Sequence, residues 1–155
     1  MKYARLTKEQ FEELHQEFIN FLAAQTITAE EWEEIKRDKP EVAEQELDVF
    51  SDLVWEGVLN QVKYLEHISP QQLMLFHISQ THIDLIAIRI EGDQIDITTD
   101  LGYRWLQQNL QNDAVQLYTS TKAIKEDRNA DIFLLIQQGA NITKGELYRY
   151  FEGIL

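Results

Sequence analysis

The chain has 155 residues, 44% of them hydrophobic, and a formal net charge of −13 from 14 Lys/Arg against 27 Asp/Glu. A chain of this length can bury about 70% of its unfolded surface, and its apolar share excludes wholesale disorder. So acidic a surface argues against nucleic acid and anionic membrane as direct partners, and the absence of cysteine excludes disulfides, thiol nucleophiles and Cys-based metal sites.

The first predicted helix covers about residues 7–24. Phe11, Leu14, Phe18, Phe21 and Leu22 form one face, with Glu9, Glu13 and Glu17 opposite. Its start, "LTKEQF" at Leu6–Phe11, is echoed by "ITAEEW" at Ile27–Trp32 and "ITKGEL" at Ile142–Leu147. In each, Thr can cap the helix while the Gln or Glu three residues on (Gln10, Glu31, Glu146) reaches back, with an apolar staple pair around them. The three copies therefore predict three helix starts. Their unequal spacing excludes a solenoid repeat.

A second helix is expected over about 28–38. Pro40 ends it and opens a third helix running to about Val62. Val42, Leu47, Phe50, Leu53, Val54 and Val58 form its expected apolar face. Glu41, Glu44, Asp48, Asp52 and Glu56 make an acidic stripe opposite.

Beyond "HISPQQ" the period changes. "LMLFHIS" and "IDLIAIRI" read as strands, "EGDQ" as a tight turn, and Ile95–Ile97 as a third, returning strand. A helix from Thr99 to about Leu110 follows, then "AVQLYT" as a fourth strand. Another helix over about 123–138 ends at Gly139, and the closing helix carries Leu147, Phe151 and Ile154 on one face. The whole reads as a single α+β domain over residues 1–155. It has a helical N-terminal third, a small mostly antiparallel sheet and C-terminal helices packing on it.

No nucleophile elbow, Walker A loop or dinucleotide fingerprint occurs, so no catalytic residue and no cofactor is assigned. "EEWEE" resembles the EExxE half-motif of all-α nucleoside-triphosphate pyrophosphohydrolases, but Glu44, Glu46 and Asp48 miss that family's second half. "FLLIQQGANIT" resembles one ankyrin-repeat tail, without the further repeats that would bury its core. "IDITTDLGYRWL" resembles a winged-helix step, with Thr99 and Gly102 in register but no basic recognition helix. If a metal is held at all, His67, His77 and His82 with Glu66 or Asp84 are the candidates. Their gaps match no ligand motif on a single element.

"RLTKEQFEELHQEFINFLA", "PEVAEQELDVFSDLVWEGVL", "KYLEH" and "KGELY" together resemble a family of small acidic bacterial proteins of unknown function. The likeness spans nearly the whole chain. It implies a free-standing single-domain protein and carries no catalytic residue, cofactor or partner with it.

The chain begins with Met1, lacks any apolar run able to cross a bilayer, and follows Lys2 and Arg5 with "EQFEELHQEF" rather than an apolar signal core. A cytoplasmic protein is expected. The leading functional expectation is a non-enzymatic module that binds another protein through Glu44, Asp48 and Asp52 on the acidic stripe and Tyr148 and Tyr150 on the closing helix. The alternatives are a small-ligand or metal-dependent enzyme with a pocket between helices and sheet, and an acidic nucleic-acid mimic.

Overall fold

A computed structural model describes all 155 residues, Met1–Leu155. They form two compact units, Met1–Asn60 and Gln61–Leu155. No helix is long and apolar enough to cross a membrane.

The first unit is helical: α1 (Lys8–Glu13), α2 (His15–Ala24), α3 (Ala29–Asp38) and α4 (Pro40–Asn60). At its start the expected capping box closes both ways. Thr7 accepts from the Gln10 amide at 3.2 Å, and Gln10 accepts from the Thr7 amide at 2.8 Å. At α3 only half of it forms, Thr28 accepting from the Glu31 amide at 3.1 Å. The single helix expected over 7–24 is two helices, opened at Leu14 (φ −100°, ψ 23°). Bonds from Leu14 to Gln10 and from Phe18 to Leu14 carry the pattern across. After α2 the chain turns at Thr26, a β-branched residue held at φ 60°, where the amides of Thr26 and Ile27 bond back to Ala23 and Leu22.

The buried face of α4 is rotated from the one expected. Ala43, Phe50, Ser51 and Leu59 are buried, whereas Leu53 and Val58 are 60% and 43% exposed. Contact, not hydropathy, decides this. The Ser51 hydroxyl accepts from the Leu6 amide at 3.1 Å and donates to the Leu47 carbonyl at 2.7 Å. That lets residues 2–6 lie along the helix at a place where a larger side chain would hold them off. Around Phe50 stand the rings of Phe11, Phe18 and Phe21, with centroids 5.1–5.9 Å away.

The second unit is built on β1 (Tyr64–Ser69), β2 (Gln72–Ile78), β3 (His82–Ile90), β4 (Val115–Ala123) and β5 (Asn141–Thr143), with helices α5 (Asp100–Gln108), α6 (Arg128–Gln137) and α7 (Glu146–Ile154). Strand order is β4-β3-β2-β1-β5 and every neighbouring pair is antiparallel. Register pairs Leu73 with Ile88 and Leu75 with Ile86. With Ile90, Ile97, Leu106, Tyr148 and Phe151 these form the core beneath α5 and α7. On the opposite face Phe76, Ile83 and Leu85 line a cavity with Leu134 and Leu135 of α6.

Four expectations in this unit give way to long-range pairing. β1 was hidden in "KYLEHIS", whose alternating apolar and polar residues pair with β2 on one side and β5 on the other. Ile95–Ile97 is no strand. Its segment crosses the β1–β2 turn, with the Ile97 amide on the Pro70 carbonyl at 2.9 Å and the Ile97 side chain in the core. The helix expected from 123 begins at Arg128, capped by Asp127, because β4 extends through Ala123 and Ile124 still bonds to Thr81. It ends, as expected, at Gly139, where the amides of Gly139 and Ala140 bond back to Ile136 and Leu135.

The third hexapeptide is not a capping box. Ile142 and Thr143 are taken into β5, paired with Leu65 and Tyr64. The α7 N-cap is Gly145, at φ 84°, with a β-carbon there falling 2.4 Å from the Tyr64 ring.

Candidate functional site

The acidic stripe is occupied by the chain itself. Asp52 accepts from the amides of Lys2 and Tyr3 at 2.7 and 2.9 Å. The Tyr3 hydroxyl donates to Glu56. Arg5 reaches Asp48 at 2.7 Å and also Glu44. Glu44, Asp48 and Asp52 thus anchor residues 2–5 along α4.

Of the two tyrosines, Tyr150 is 41% exposed, beside Phe151 and within 3.3 Å of the Gln107 amide that donates to it. Tyr148 is buried. It stands 5.5 Å from the His77 ring and 5.7 Å from the Tyr64 ring, and those two stack at 4.9 Å. Asp84, opposite His77 in register, lies 3.6 Å from its Nδ1. Burial first, then the charges of Asp84 and Glu152, hold the Tyr148 phenol above its ordinary value and keep it protonated.

The three histidines do not converge. His77 shares the α7 face of the sheet, whereas His67 lies on the other face, under Gly139, where a β-carbon would fall 2.9 Å from its ring. His82 is exposed at the start of β3, 2.8 Å from the Thr81 hydroxyl. No three His, Asp or Glu side chains gather so as to hold a metal ion.

Glu66, on the α7 face, has its carboxyl raised above the ordinary glutamate value, by burial first and then by the charge of Glu146. Between the unfolded and the raised folded value the folded chain binds more protons, so stability falls as pH rises through that window. The penalty is fully present above it and absent below it. Glu66→Gln is therefore expected to raise the melting temperature at pH 7, by at most about a few degrees, and to give nothing below about pH 4. An equal gain at both pH values would assign the effect to packing instead.

A groove of about 730 Å³ opens in the helical unit. Phe11, Phe18, Ile19, Leu22, Trp32 and Leu47 give its apolar lining, and Arg5, Lys8, Glu12, His15, Glu33 and Lys36 its polar lining. It stays open because the short helices have apolar sides without enough chain to cover them. α1 and α3 bury no residue fully, and α2 buries only Leu22. Phe18 meets the Trp32 ring edge-on at 5.4 Å, and both remain half-buried. In the sequence these aromatics read as core. The signal available was their number on helices of six to ten residues, too short to hide them.

Fold and groove together define a class: an α+β protein whose helical unit presents an open, aromatic-lined apolar surface. The chain belongs to the family of unknown function DUF6495, which matches it over residues 1–155. No curated protein and no solved structure matches it.

Proposed function

We propose that the chain is a non-enzymatic protein-interaction module of the cytoplasm, a single α+β domain whose helical unit takes up an amphipathic helix with a basic polar face from another protein. The groove carries this reading. Its size falls within the range of ligand sites, and its aromatic lining suits the apolar side chains that a helix presents at i, i+3 or i+4, and i+7. The field of the whole unit, rather than the groove's own lining of Arg5, Lys8 and Lys36 against Glu12 and Glu33, selects the partner. Residues 1–56 hold six Lys/Arg against fifteen Asp/Glu, a balance of −9, which attracts a cationic helix and opposes an anionic lipid or a nucleic acid. The family's span over residues 1–155 supports treating both units as one module.

The test is an NMR titration of the full ¹⁵N-labelled chain with a Leu/Lys amphipathic helical peptide, its Leu/Glu counterpart and palmitate. The Leu/Lys peptide is expected to shift the Trp32 indole resonance, to bind more weakly as salt rises, and to lose binding in Ile19→Asp. Silence from both peptides would remove the proposal. Binding of palmitate alone would replace it with a small-ligand site.

A further inference from the structure

The sheet ends on one side in β4, where every residue but the half-buried Val115 is exposed, Leu117 and Tyr118 to 44% and 60%. Long, flat, uncovered edges invite pairing, and proteins ordinarily blunt them with charge, proline or a bulge. Within Val115–Ala123 there is no proline and no break in the register with β3, and the one charge is Lys122.

Hydrogen-bond parity shows which groups are open. Glu91 bonds to Ala114 and Ile124 to Thr81 across the β3–β4 ladder. The even-numbered residues of β4 therefore direct their amides and carbonyls toward β3. Those of Leu117, Thr119, Thr121 and Ala123 point outward, where no strand lies, as does the Val115 carbonyl, whereas the Val115 amide turns back to the Asn112 carbonyl at 2.9 Å.

We propose that β4 pairs with β4 of a second copy of this chain, antiparallel about a two-fold axis at Thr119, joining two sheets into one. This register is self-complementary. Thr119 faces Thr119, Leu117 faces Thr121 and Val115 faces Ala123, so the outward groups of residues 117–121 pair fully and the Ala123 amide meets the Val115 carbonyl. No acid occurs from Ala114 to Lys125, in a chain with 27 of them, so no like-charged acids oppose each other along the strands. Lys122 falls opposite Gln116, which is already held by Glu91 at 2.9 Å. Just beyond the strand ends the same register brings Asp113, in the turn leading into β4, toward Lys125 of the other copy, twice by symmetry. Both are exposed and neither has an ion pair within its own chain. This charge match selects a second copy over an unrelated strand.

Sedimentation velocity of the full chain across a concentration series tests it. Wild type is expected to show a monomer–dimer equilibrium. Thr119→Pro removes an outward amide, leaves the β3–β4 bonds intact, and is expected to weaken dimerisation about a hundredfold or more. Lys125→Glu, which cannot disturb the ladder, is expected to weaken it about tenfold, and Asp113→Lys added to it to restore the affinity. A chain that is monomeric throughout would overturn the proposal, as would a dimer indifferent to these changes.

Discussion

Replacing Gly102 with alanine is expected to cost about 3 kcal/mol or more, a large part of the roughly 5–15 kcal/mol that holds a domain folded. Gly102 is buried in the first turn of α5, its amide donating to the Thr99 cap at 3.1 Å. A β-carbon there would sit 1.8 Å from the Asp96 carbonyl oxygen and 2.4 Å from its carbon. Neither side can retreat. The loop is tied by the Ile97 amide to Pro70 and by the buried Ile97 side chain, and α5 by the fully buried Leu106. Denaturant unfolding of the full chain measures the loss. A companion Gly57→Ala, in the last turn of α4 with nothing within 4 Å of its β-carbon, is expected to gain up to about 0.5 kcal/mol. A loss under about 1 kcal/mol for Gly102→Ala would mean that the 91–99 loop is free to move.

Phe50→Ala is expected to destabilise by about 3–5 kcal/mol, the usual cost of emptying an aromatic site in a core. Phe50 is only 4% exposed, and Phe11, Phe18 and Phe21 surround its ring. These short helices bury little else, so nothing nearby can refill the space. Because Phe11 and Phe18 also line the groove, the variant is expected to weaken the Leu/Lys peptide as well. Thermal unfolding and the peptide titration report the two effects separately. Wild-type stability would show that the cluster repacks without its centre, and wild-type peptide affinity in a destabilised variant would uncouple the groove from its floor.

Much of the helical framework was legible because its signals are local. The Thr7 box, Pro40 opening α4, Thr99 capping α5 and the Gly139 stop each act within one helical turn, so their partners lie within a few residues. Strands β2 and β3 were legible from their apolar runs. The Thr143 signal failed although it matches the other two, because β1 offers residues 141–143 backbone partners that a cap cannot match. Ile95–Ile97 failed for the opposite reason, since only one of its amides meets a neighbouring carbonyl across the β1–β2 turn.

The candidate site was less legible than the fold. The acidic stripe on α4 was visible as periodicity, but nothing in a one-dimensional pattern says that residues 2–5 return to fill it. The groove was visible only as aromatics, since an aromatic in a core and one at an open surface look alike in sequence. What this chain's sequence determined unaided was its α+β class, most of its helix ends and the sign of its surface, all consequences of short-range bonding and summed charge. The tertiary structure alone decided which face of α4 is buried, that His67 and His77 lie on opposite sides of the sheet, and that Phe18 and Trp32 meet at an opening. Each of these depends on which distant segment packs there and excludes water.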